Sequence, residues 1–95
     1  MKYIKPPTIT GTSLINNTAT INWSINQPGS YSFIFRAASP AGPFTRLNGR
    51  PTSLTTYSTT ASATATNYMV RSYVTTATGI GSYGNLSQGV VTSIP

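Results

Sequence analysis

Apolar residues recur at every second position in short runs along this chain, and clusters of Gly, Pro, Asn and Ser separate the runs. Alternation of that kind marks half-buried β-strands, because successive side chains on a strand point to opposite faces. The run at 67–74 organises the rest. Tyr68, Val70, Ser72 and Val74 fall on one side of it and Met69, Arg71 and Tyr73 on the other. A tyrosine opening a buried strand can pack its ring in the core and turn its hydroxyl back onto a nearby loop carbonyl.

The other runs follow in order. Residues 8–14 read as a first strand, bent or bulged at Gly11, and Ile15-Asn16-Asn17 as a turn. Residues 18–25 alternate cleanly, with Ala19, Ile21, Trp23 and Ile25 inward. After the Asn26-Gln27-Pro28-Gly29 turn signal, residues 30–37 set Tyr31, Phe33 and Phe35 on one face, assigned to the core. Residues 44–47 give a short edge strand. Residues 52–59 give a β-prone segment packed through Leu54 and Tyr57, and 61–66 a polar crossing. Residues 75–82, with Gly79 and Gly81, read as the longest loop, and 86–94 as the last strand. Seven short strands with turn signals between them and no helix predict an all-β sandwich. The central strand is then 67–74, with core residues Trp23, Tyr31, Phe33, Phe35, Tyr68 and Val70.

Composition narrows the picture. Ninety-five residues make one domain with a single core: an extended leader at 1–7, ending in Pro6-Pro7, and a sandwich at 8–95. The abundant Thr is β-branched and suits strands. No cysteine occurs, so disulfides and thiolate chemistry are excluded. No stretch is long and apolar enough to insert in a membrane, and residues 1–7 lack the apolar centre of a signal peptide. The sequons at Asn16, Asn22 and Asn85 carry little weight in so Ser- and Thr-rich a chain.

Charge changes the picture most. Six Lys and Arg stand against no Asp, Glu or His, a formal charge of +6. Two readings compete: a cationic surface for polyanions, or a natural or designed parent from which acids were removed. Lys2, Lys5, Arg36, Arg46, Arg50 and Arg71 are scattered, with no polybasic run.

The same absence closes off most chemistry. No general base, carboxylate nucleophile or acidic calcium ligand exists in the chain, so no catalytic residue, metal site or cofactor is assigned. Gly79-x-Gly81 precedes no helix and is not a phosphate loop. Arg71, Tyr73, Tyr83 and Arg36 form the candidate ligand surface, since aromatic and cationic side chains together bind carbohydrate or single strands.

One consequence is measurable. Apart from the terminal carboxylate, nothing in the chain titrates between about pH 2 and 6. Stability changes with pH only where folded and unfolded states bind different numbers of protons. Thermal melts across that range are therefore expected to coincide, and a steep fall in melting temperature on acidification would contradict this.

The order of Trp23 in the second strand, Tyr31-x-Phe33-x-Phe35-Arg36, and Gly42-Pro43-Phe44 resembles fibronectin type III domains. So do Thr56-Tyr57, Tyr68-x-Val70-x-Ser72-x-Val74 and Gly79-x-Gly81-Ser82-Tyr83, the likeness covering residues 8–94. The resemblance implies a seven-stranded, immunoglobulin-like Greek-key sandwich of three plus four strands, with Trp23 as the core tryptophan and Tyr68 as the tyrosine-corner residue. Gly42-Pro43-Phe44, Tyr68-Met69-Val70-Arg71 and Asn85-Leu86-Ser87-Gln88-Gly89 look like the bacterial members, which are accessory modules of large secreted or surface proteins. It thus implies a non-catalytic, monomeric spacer between neighbouring domains of an extracellular parent. The alternatives are a cationic module for polyanions or carbohydrate, and an engineered binding scaffold. Such members often carry an aspartate shortly after the tyrosine of the Thr-Tyr segment. Here Tyr57 is followed by Ser58-Thr59-Thr60, in keeping with a chain edited to lack acids.

Overall fold

In the computed structural model, which describes residues 4–78 and 81–94 and leaves the side chains of 76–78 and 81–83 undescribed, β1 (Thr8–Ile15) and β2 (Thr18–Ser24) form a tight hairpin. Asn16 and Asn17 connect them with φ of 49° and 63°. Left-handed backbone at both central residues matches the right-handed twist of the flanking strands, and asparagine tolerates it. The register slips between Ile9 and Gly11, placing a bulge where glycine predicts one. On the other side of β2 lies β5 (Thr56–Thr60), which completes a three-stranded sheet in the order β1-β2-β5.

The second sheet is built on β6 (Asn67–Thr78). One side of β6 pairs with β3 (Tyr31–Ala37), which in turn carries the short β4 (Thr45–Arg46). The other side pairs first with β7 (Gly81–Leu86) and then with β8 (Val90–Ser93). All pairings are antiparallel, and no helix occurs among the described residues. The molecule is an all-β, two-sheet sandwich.

Its strands number eight rather than seven, for two reasons. The expected loop at 75–82 is largely strand, since Thr75 pairs with Gly84 and Thr78 with Gly81. Only two residues, Gly79 and Ile80, separate β6 from β7, and both lie outside the described residues. The expected last strand at 86–94 is interrupted at Ser87–Gly89. There the Ser87 amide donates to the Ser72 carbonyl (2.8 Å) and the Ser72 amide to Ser87 Oγ (2.9 Å). A side-chain oxygen thus replaces a ladder carbonyl, and the strand resumes on the same edge of β6.

The core joins Ala19, Ile21 and Trp23 of β2 to Ile34, Tyr68 and Val70 of the opposing sheet, with Ile94 closing one end. Trp23, Tyr68 and Val70 are where the alternation puts them. Strand β3 is not. Its register sets Ser32 opposite Ser72, Ile34 opposite Val70 and Arg36 opposite Tyr68. The inward phase of β6 therefore fixes Ser32, Ile34 and Arg36 as the inward phase of β3. Tyr31, Phe33 and Phe35 lie on the outer face; the core assignment is corrected for Tyr31, which is exposed, and Phe35, which is half-buried, whereas Phe33 is buried as expected but outside the cluster between the sheets. The interior at this point already holds Trp23, whose Nε1 donates to Ser32 Oγ across the sheets at 3.0 Å. Close packing leaves room there for a serine, not for another ring.

Further differences are local. Ile25 falls just beyond β2. Leu54 is 62% exposed instead of packed, whereas Tyr57 does pack on the core. The segment before β5 starts on the wrong sheet: Thr52 bridges to Ser32 of β3, and by Thr55 the chain has crossed to accept the Trp23 amide.

Between β4 and Thr52 the edge of β3 is held by the Leu47 amide, which donates to the Ile34 carbonyl (2.8 Å), and by one side chain. Asn48 Oδ1 accepts the Ile34 amide (2.8 Å), while its Nδ2 donates to the carbonyls of Ser32 (3.1 Å) and Arg50 (2.8 Å). Asn48→Ala leaves the Ile34 amide and the Arg50 carbonyl to find new partners, while the Ser32 carbonyl still accepts from the Thr52 amide (2.9 Å). It is expected to lower stability by about 2 kcal/mol in a denaturant titration; a change within about 0.5 kcal/mol would show that water replaces the amide without cost.

The described part of the leader is not free. Ile4 is buried, Lys5 N donates to Gln27 Oε1 (3.1 Å), and Asn26 Nδ2 donates to the Pro6 carbonyl and to Thr8 Oγ1 (2.9 Å each). The chain thus comes in against the β2–β3 turn. At the opposite end Ser93 pairs with Asn67, itself opposite Ala37, and the Ile94 amide donates to the Thr66 carbonyl (2.8 Å).

Candidate functional site

The β3 register creates the most distinctive surface of the molecule. On the outer face of the larger sheet Tyr31 stands beside Tyr73, Phe33 beside Arg71, and Phe35 between Arg46 and Met69. Val91 extends the last row past Met69, and Leu86 lies beside Tyr73. Tyr31 (45%), Leu86 (40%) and Val91 (41%) remain substantially exposed. A single exposed apolar residue needs no explanation, but a contiguous aromatic patch does.

Phe33 anchors the patch. It is nearly as buried as the core although it points away from it. The Tyr73 ring meets it edge-on, with centroids 5.1 Å apart and planes at 72°, a favoured aromatic geometry. The Arg46 guanidinium carbon lies 4.6 Å from its ring centroid, within cation–π range. Arg71 is fixed from the other side, its Nε donating to the Ser87 carbonyl at 2.7 Å. The break between β7 and β8 therefore has a second use: it presents the carbonyl that orients Arg71.

Two glycines keep the face flat. A Cβ on Gly84 would run into the ring and hydroxyl of Tyr73, and one on Gly89 into Sδ and Cγ of Met69. Tyr73 and Met69 can therefore lie down over neighbouring backbone, as only glycine permits at so close an approach.

Of the four ligand-surface residues expected from the sequence, the structure brings Arg71 and Tyr73 together. Arg36 belongs to the inward phase at the sandwich margin, where its Nη1 donates to the Thr60 carbonyl of the other sheet (3.0 Å). Tyr83 stands in β7 at the register position of Thr76, out of phase with Tyr73, and its side chain is outside the described residues. Sequence reasoning missed Tyr31, Phe35 and Arg46 as residues of this face, and Phe33 as the buried ring beneath it. A signal was present: Ile34 is apolar too, so 31–37 had two hydrophobic phases to choose from.

No side-chain carboxylate exists to neutralise either arginine. No grouping of metal-binding side chains occurs among the described residues. An open crevice of about 540 Å³ follows the leader past Lys5, Pro6, Pro7, Thr8 and Asn26, a lining without His, Cys, Asp or Glu. What the outer face can do chemically is stack and pair: rings for apolar faces of a ligand, guanidinium forks for its anions. No family model matches the chain, and no curated protein matches it.

Proposed function

We propose that this chain is a non-catalytic accessory module, fibronectin type III-like in fold, that spaces its neighbours in a modular extracellular protein. The observation that carries this reading is the placement of the two ends of the domain. Residues 4–8 run along the β2–β3 turn, whereas Ser93 and Ile94 lie against Thr66 and Asn67 at the far end of the sheets. The long axis measures 47 Å against 23 and 20 Å across. A domain entered at one end and left at the other transmits its length to whatever it joins.

Several features support the fibronectin type III likeness. Three strands, β1-β2-β5, face a sheet ordered β4-β3-β6, whose outer edge is one broken strand, β7 then β8. Trp23 fills the core from the second strand, and Tyr68 is buried at the start of the central one. Counting β7 and β8 together restores three plus four. The missing acids do not bear on this role, since no contact in the core uses one.

The test is a tandem fusion of two copies, measured by small-angle X-ray scattering. The spacer reading predicts a maximum dimension near twice the 47 Å axis. A compact particle little longer than one copy would contradict it.

A further inference from the structure

We infer that the outer face of the larger sheet is a binding surface for an acidic polysaccharide, a sugar chain bearing uronate carboxylates, with Tyr31 and Tyr73 as the stacking platform and Arg46 and Arg71 as carboxylate partners. This goes beyond the spacer role and does not depend on it.

The chemistry of the patch selects the ligand. Its centre is ring surface, Tyr31 beside Tyr73, with Tyr73 laid over Gly84 so that the face stays flat. Rings of this kind take the C–H faces of a pyranose and leave its hydroxyls at the periphery in water. The two guanidiniums are held before any ligand arrives, Arg46 by the Phe33 ring and Arg71 by the Ser87 carbonyl. Preorganised groups lose little freedom on binding. The strands that bear them, β4 and β6, are separated by β3 alone, hence about 10 Å apart. With +6 and no acidic side chain in the chain, neither guanidinium has a side-chain counter-charge, and a second copy, equally cationic, offers no side-chain carboxylate.

Other occupants fit less well. A nucleic acid backbone is gripped through roughly six to ten phosphate contacts, and this face offers two cations. A stable protein interface needs roughly 20–30 residues on each side, several times what the patch provides. An extended peptide laid across this face must satisfy its own N–H and C=O groups, and β3 and β6 beneath it spend theirs on ladders to both sides; free backbone lies only at the outer edges of β4, β7 and β8. A sugar chain has no such requirement.

The experiment is titration of the folded chain with oligogalacturonate, followed by amide and side-chain NMR shifts at physiological salt. Methyl-esterified oligogalacturonate, polyglutamate and duplex DNA are run in parallel. Shifts are expected at Tyr31, Phe33, Arg46, Arg71 and Tyr73, with binding at least about tenfold weaker to the ester. Tyr31→Ala and Arg46→Gln, both at exposed positions, should each weaken binding about tenfold. Lys5→Gln, which removes the same charge from the leader, should not. Gly84→Ala adds only a methyl beneath Tyr73, and loss of affinity with an unchanged melting temperature would locate the platform. No shift with oligogalacturonate overturns the inference. So does affinity that follows charge alone, equal for DNA and insensitive to Tyr31→Ala, or a preference for polyglutamate, which would make the face a peptide site.

Discussion

Trp23→Ala is expected to destabilise the domain by about 3–5 kcal/mol, enough to leave a chain of this size largely unfolded or close to it. Trp23 is the largest side chain in the core, 3% exposed, and reaches from β2 to the opposite sheet. Its removal opens a cavity at the one point among the described residues where the sheets are joined by a buried side-chain hydrogen bond, and it strands Ser32 Oγ. Trp23→Phe separates the two effects. It keeps most of the packing and loses the indole donor, so a cost of about 1–3 kcal/mol is expected. Equilibrium denaturation of both variants measures the difference. Retention of near-native stability by the alanine variant would mean that Trp23 is not the centre of the core.

The second large effect lies on β3 and depends on direction. Ile34 is fully buried, and Ile34→Ala is expected to cost about 2–5 kcal/mol. Tyr31 is 45% exposed three positions earlier on the opposite phase, and Tyr31→Ala should cost under about 1 kcal/mol. Had the aromatic phase faced inward, the order would be reversed. Both variants can be compared by urea midpoints at constant slope.

Much of the fold was legible because most strands carry one hydrophobic phase. In β2, Ala19, Ile21 and Trp23 alternate with Thr20 and Asn22, and only one side can go inward. The β1–β2 turn was legible in Asn16-Asn17 and the bulge in Gly11, since both report backbone conformations that other residues avoid. The β6–β7 hairpin was hidden because Thr75, Thr76 and Thr78 are β-prone but carry no apolar signal, and the nearby glycines look like loop. The break at Ser87–Gly89 was hidden for a different reason. It depends on where Ser87 Oγ meets the Ser72 amide, a pairing between strands that no local pattern encodes.

The candidate face was half legible. Arg71 and Tyr73 share the polar phase of β6 and could be read from it directly. Their neighbours could not. In Tyr31-Ser32-Phe33-Ile34-Phe35 the heavier phase is aromatic, and burial arguments alone send it inward. What sends it outward is non-local: Tyr68 and Val70 have claimed the interior face of β6, β3 must follow that register, and Trp23 fills the space in front of Ser32. A strand with two apolar phases takes its orientation from its partners. The same inversion that takes Tyr31 and Phe35 out of the core sets them around a buried Phe33 and beside two arginines.

The direction of β3 is also the most direct point at which to test the whole account. The chain has no cysteine, so a single introduced thiol is the only one present. Tyr31→Cys and Ile34→Cys, treated with a thiol-labelling reagent under native conditions, report the two phases separately. The structure predicts prompt labelling at position 31, and labelling at 34 only as fast as the protein opens. Fast labelling at 34 with protection at 31 would turn the strand over, return the aromatics to the core, and remove the binding face.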